Sequence, residues 1–307
     1  MILNQNAYSA LNERRDDKVG AGDSSCVRDD VHRSNAGIIV NADDWGSDSA
    51  TTERTLECVL RGVVSSVSAM VFVGDSERAA DLALQHGIDA GLHLNLTAPF
   101  DAPQGSSKLT EHQRKVAHFL TANRFAFMLY HPGLANSFEY VVKAQLEEFT
   151  RLYGAPANRV DGHHHMHLSA NVVLQKLLPD HIIVRRNFTF GPGEKGYFNR
   201  LYRRRLDLRL ARRHRMTDYF FDLQPLEPSR LAGIVALSTR FSVEVETHPI
   251  RQNEYRFLVD GELLRCAGDC GVARGYVLPE RHAKHLDQGE HSGSVAGAPV
   301  LPPVPRQ

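Results

Sequence analysis

GIIVNADDWG, residues 37–46, is the stretch on which the fold turns. Gly37 to Val40 make a short apolar run of the kind a buried strand needs. Two carboxylates and a glycine turn follow directly. Ser47 or Asp48 then stands where a helix cap is expected. The next residues place Leu56, Val59, Leu60 and Val63 on one helical face. A strand, a polar turn and an amphipathic helix are the first half of a βαβ unit.

The same alternation recurs downstream. Apolar or β-branched runs predict strands at 64–72, 88–95, 159–164, 181–185, 240–247 and 255–259. Helices are expected near 75–86 and 170–178, and on the stripe Phe138, Val141, Val142, Leu146, Phe149 and Leu152. The stretch 98–136 is longer than an ordinary connection and reads as an elaborated lid or insertion. Strand–helix alternation gives an α/β fold with a mainly parallel sheet. About seven strands suit a distorted (β/α) barrel in a single domain, with its chemistry at the C-terminal strand ends.

Composition sets the outer limits. Of 307 residues, 42% are hydrophobic, enough for one sizeable core, and the net charge of zero argues against a dedicated nucleic-acid binder. No run approaches the roughly 20 apolar residues of a membrane helix. The first twenty residues lack the apolar centre of a secretory leader, so the expected location is cytoplasmic. Residues 1–35 and 284–307 read as flexible extensions around a domain at 36–283. Cys26, Cys58, Cys266 and Cys270 are too few for a disulfide framework, and free thiols are expected.

Three further stretches carry chemistry beside Asp43 and Asp44. In GLHLNLT, 91–97, strand alternation turns His93 away from Leu92 and Leu94. In VDGHHHMH, 160–167, an extended chain would set Asp161, His163, His165 and His167 on one face and His164 on the other. In VEVETHP, 243–249, Glu244, Glu246 and His248 oppose Val243 and Val245. Taken singly, the Asp pair also reads as a helix cap, His93 as a satisfied strand histidine, and the Glu pair as a solvated face. Together they supply one carboxylate and two imidazoles as ligands, with a carboxylate and an imidazole to spare. That set suits metal-assisted hydrolysis with one base and one acid. On ligand softness the mixed N and O donors favour zinc, manganese or iron over magnesium.

In this order, over residues 37–260, the four stretches resemble the signatures of the YdjC-like carbohydrate deacetylases. The resemblance implies a distorted (β/α) barrel that removes N-acetyl groups from amino sugars such as chitooligosaccharides. It implies Asp44, His93 and His163 as ligands of one divalent metal ion, magnesium by family habit. Asp43 matches the base and His248 the general acid, oriented by Asp161 or Glu244. His165 and His167 are expected to face substrate or support the ligands, and Arg185 and Asp218 to contact the sugar. Trp45 stands where Phe is more usual, a volume change expected at the sugar subsite. A homodimer is also compatible with the resemblance.

Two other readings compete. Asp43 or Asp44 with Glu244 or Glu246 would form a glycosidase pair, which leaves the histidines idle. A non-catalytic metal or nucleic-acid module draws its support from RLYRRRLDLRLARRHR, 200–215, with eight arginines.

Overall fold

The structure, a computed structural model, describes residues 37–102, 106–190 and 194–278. All of them belong to one compact unit. The expected extensions, 1–35 and 284–307, and Cys26 lie outside the described residues.

Seven strands form one sheet: β1 Ile39–Trp45, β2 Ser66–Ala69, β3 Ala90–Leu94, β4 Arg159–Gly162, β5 Ile183–Val184, β6 Tyr219–Asp222 and β7 Val243–Thr247. Their order is β5-β4-β3-β2-β1-β7-β6, and every pairing is parallel. The sheet curls into a half-barrel wrapped by helices, the distorted barrel that the alternation predicts. Its two edges approach each other: Ile183 bridges Arg215, and the Thr189 amide donates to the Phe220 carbonyl at 2.8 Å.

The helices are α1 Ser49–Leu60, α2 Ser76–His86, α3 Ser107–Thr121, α4 Ala135–Tyr153, α5 Ala170–Leu174, α6 Tyr197–Leu210, α7 Pro228–Ser238, α8 Gln252–Val259 and α9 Glu262–Ala267. Asp48 caps α1 by accepting from the Thr51 amide. The long 98–136 stretch contains α3, which buries Leu109, Val116 and Leu120 and packs on α4.

Two element assignments differ from the sequence reading. Residues 255–259 belong to helix α8, because Glu254 and Leu258, four apart, are its two fully buried positions. The strand that takes its place in the count is β6, carried by Tyr219, Phe220 and Phe221. Aromatic runs favour strands, and the Asp222-to-Pro225 turn ends this one.

Alternation explains what the barrel holds. Val40, Ala42, Val67, Ala69, Leu92, Leu94, Val160, Val243 and Val245 all join the apolar core beneath the helices. The opposite faces carry Asn41, Asp43, Ser66, Ser68, His93, Arg159, Asp161, Glu244 and Glu246, every one buried. The interior is therefore polar and the outer layer apolar. Residues 271–278 form its floor, where Tyr276 and Leu278 pack on Ile39, and the Ala273 amide donates to the Ile38 carbonyl.

Candidate metal centre

Asp43 and Asp44 are neighbours on one strand, so regular pleating would send them to opposite faces. A register shift between Ala42 and Trp45 and a left-handed φ of 62° at Asp44 undo that alternation. Asp43 stays in the barrel, where Asn41 donates to it at 2.9 Å. Asp44 swings to the mouth. Its Oδ1 lies 3.2 Å from His93 Nε2 and 2.9 Å from His163 Nδ1. Its Oδ2 lies 4.0 Å from His248 Nε2.

The histidine run is not extended. Gly162 ends β4, and His163–Leu168 winds as a 3-10 turn with left-handed φ at His164 and His165. A Cβ at Gly162 would stand 3.0 Å from both the His167 Cβ and the Leu94 carbonyl, so any larger residue would force its neighbours to shift. The expected shared face of His163, His165 and His167 is thereby replaced by three separate destinations. His163 joins Asp44. His165 Nε2 lies 3.7 Å from Glu246 and packs against Phe188 and Phe220. His167 is fully buried, with Nε2 2.9 Å from the Arg185 carbonyl. His164 reaches Thr97 at 3.1 Å.

Behind the mouth sits a buried charge network. His93 Nδ1 is 2.7 Å from Asp161 Oδ1. Asp161 also accepts from Ser68 and lies 3.0 Å from Arg185. The Arg185 guanidinium, 1% exposed, forks onto both Asp43 oxygens at 2.6 and 2.8 Å. It also reaches Glu244 at 2.8 Å and Glu246 at 3.2 Å. Burial is the largest influence on Asp43 and Asp161 and disfavours their ionisation, but the Arg185 charge, added to the His93 charge and to hydrogen bonds, holds both carboxyls below their usual range. Asp44 is likewise held well below, where hydrogen bonds from His163 and His93 overcome burial. Glu246 goes the other way: burial and then the Asp43 charge push it well above the carboxylate range.

This geometry separates a ligand set from its support. One donor atom each from Asp44, His93 and His163 lies within 4.8 Å of the others. Asp161 accepts the Nδ1–H of His93 and so turns Nε2 toward Asp44, where a bound cation would replace the proton that Nε2 shares with that carboxylate. The residues therefore fit a divalent cation. Asp43, His93 and Asp161 are equally close together, but both of those carboxylates already face Arg185, so a cation there would meet a guanidinium. Asp43 is left outside the ligand set, and His248 stands across the mouth.

Other residues singled out in the sequence have different surroundings. Trp45 is fully buried on the helical side and donates Nε1 to the Ala79 carbonyl at 3.2 Å, so it offers no surface to a sugar. Asp218 precedes β6, at the strand end away from the mouth, and accepts from Ser242. Glu244 is closed in by Arg185 and Tyr276. Cys266 and Cys270 are free thiols. Glu254 has no local signal in the sequence. It is fully buried on α8 and accepts from the His248 amide at 2.7 Å and from Thr247 at 2.8 Å, which positions the His248 loop.

His167 yields a pH prediction. Burial lowers its pKa from 6.5 to about 4. The unfolded chain then binds a proton that the folded chain refuses, so stability present above pH 6.5 is lost as pH falls toward 4. Between about pH 7 and pH 5, His167→Asn is expected to lose roughly 2 kcal/mol less than the native chain. Urea unfolding at both pH values measures the difference. Parallel curves for the two proteins would rule the assignment out.

Fold and site together define a parallel α/β half-barrel protein with an Asp–His–His donor set at the C-terminal ends of its strands. The family model described as YdjC-like protein matches residues 37–266, and the chain belongs to this family. A carbohydrate deacetylase of Vibrio parahaemolyticus is 26% identical over 81% of this chain and 92% of its own length. A chitooligosaccharide deacetylase of Serratia marcescens is 32% identical over 44% of this chain and 52% of its own. A mouse carbohydrate deacetylase is 32% identical over 52% and 51%. A solved Enterococcus faecalis protein, described as a candidate for cellobiose-phosphate cleavage, shares the fold, with a TM-score of 0.54 and 18% identity over 77% of this chain and 95% of its own. Among the described residues, no helix is long and apolar enough to cross a membrane.

Proposed function

We propose that the chain is a metal-dependent hydrolase that removes N-acetyl groups from amino sugars, of the chitooligosaccharide type or a related N-acetylated glycan. The observation that carries this reading is the division of labour between the adjacent carboxylates: Asp44 faces two imidazoles, and Asp43 faces a guanidinium. A divalent ion at Asp44, His93 and His163 would supply Lewis-acid polarisation of the amide carbonyl and of water. Asp43, kept ionised by Arg185, takes the proton from the attacking water. His248 returns a proton to the leaving amine, from a loop that Glu254 holds by its main chain. Asp161 fixes the tautomer and orientation of His93. Two imidazoles in a three-residue set favour zinc, manganese or iron over magnesium.

The glycosidase alternative fits less well. It needs two carboxyls flanking one bond, and Glu244 is fully buried against Arg185 and Tyr276.

The test is an acetate-release screen over N-acetylated sugar oligomers, run on chelator-stripped protein resupplied with zinc, manganese or magnesium. Acetate is expected only after a metal is restored, without new reducing ends. New reducing ends without acetate would favour the glycosidase. Silence across the panel with every metal would sink the deacetylase reading. Metal binding also links to folding, so loading at a hundredfold excess over Kd is expected to add about 2.7 kcal/mol of stability. Asp44→Asn should remove that gain, as read by thermal unfolding with and without metal.

A further inference from the structure

The Arg-rich run 200–215 has no part in the Asp–His centre. Most of it forms α6. The C-terminal end of that helix and the residues just beyond it face α5 and the turn that follows α5 across a cleft of about 270 Å³.

The walls of this cleft divide by chemistry. Val172, Leu178 and Leu210 are apolar and buried, whereas Lys176, Arg209 and Arg212 are exposed cations. Arg213 also lines the cleft but is paired with Asp180. Among the described residues, Lys176, Arg209 and Arg212 have no carboxylate partner, so three positive charges line one cleft without a paired counter-charge.

His214 adds an imidazole to the wall. It lines the same cleft, is 8% exposed, and its buried Nδ1 has no hydrogen-bond partner.

We propose that this cleft is a second ligand site, separate from the Asp–His centre, and that it takes a small organic phosphate. Two guanidiniums match the oxygens of a phosphate in forked pairs, and a dianion offsets more of the converging charge than a carboxylate does. The Val172, Leu178 and Leu210 wall receives the apolar part of the ligand. A cleft just below the usual size of ligand sites admits a single phosphate on a short group, not a nucleic-acid backbone. The Arg-rich run then makes a local pocket, which agrees with the zero net charge of the chain. This inference is independent of the deacetylase reading.

Calorimetric titration of the full chain with hexyl phosphate, inorganic phosphate and 1-hexanol tests it. Hexyl phosphate is expected to bind more tightly than inorganic phosphate, and hexanol not at all. The double variant Arg209→Gln, Arg212→Gln should weaken hexyl phosphate at least about tenfold. Asp44→Asn should bind as the native chain does, which separates the cleft from the Asp–His centre. The His214 ring resonances should move on saturation. Unchanged affinity in the double variant, loss of binding in Asp44→Asn, or no heat at millimolar hexyl phosphate overturns the proposal. Equal affinity for inorganic phosphate would identify free phosphate as the ligand and overturn the organic part.

Discussion

Asp43→Asn is expected to lower kcat for acetate release by about a thousandfold or more while metal uptake is retained. The substitution keeps shape and hydrogen-bonding reach but removes the proton acceptor. The three atoms placed to hold the metal belong to Asp44, His93 and His163, so that set stays whole. KM should change little, because the proton transfer belongs to the transition state and not to ground-state binding. Arg185 gives the prediction its edge. Its bidentate pairing keeps Asp43 ionised in a site where burial alone would neutralise it. Metal content measured beside turnover separates loss of the base from loss of the site. Near-native turnover in Asp43→Asn would dismiss Asp43 as the base. Loss of bound metal would instead move Asp43 into the ligand set.

Arg185→Met is expected to destabilise the fold by about 3–5 kcal/mol. For a domain of this size that lowers Tm by roughly 6–20 °C. Asp43, Asp161, Glu244 and Glu246 all lie within 3.2 Å of this one guanidinium. Removing it leaves these carboxyls buried and close together, and each would have to take up a proton or remain charged without a partner. Arg185→Lys should restore little, since a single ammonium cannot fork onto Asp43 and reach the other three. Thermal unfolding in the presence of chelator isolates the effect from metal binding. A Tm within about 2 °C of native would show that the network contributes no net stability.

The sequence made the donor types and most of the framework legible. Apolar runs marked β1, β2, β3 and β7, and the alternation of Val243, Glu244, Val245 and Glu246 already set an apolar face against a charged one. Where it failed, the local pattern was ambiguous. Residues 255–259 read as a short strand until the fully buried positions of α8 are known, and the arginines before Tyr219–Asp222 overshadow that strand. Arg185 shows only as an arginine at a strand end, because its principal partner, Asp43, is 142 residues away. Glu254 likewise has no motif of its own.

By itself, then, the sequence determined that two adjacent carboxylates would sit at the end of the first strand of a parallel α/β sheet, with imidazoles at other strand ends. Hydrophobic periodicity is a local property, and it suffices for that. Only the tertiary structure decided which carboxylate does what. The left-handed turn at Asp44, the winding of His163–Leu168 and the reach of Arg185 depend on backbone conformation and on contacts between distant segments, which no spacing in the chain encodes.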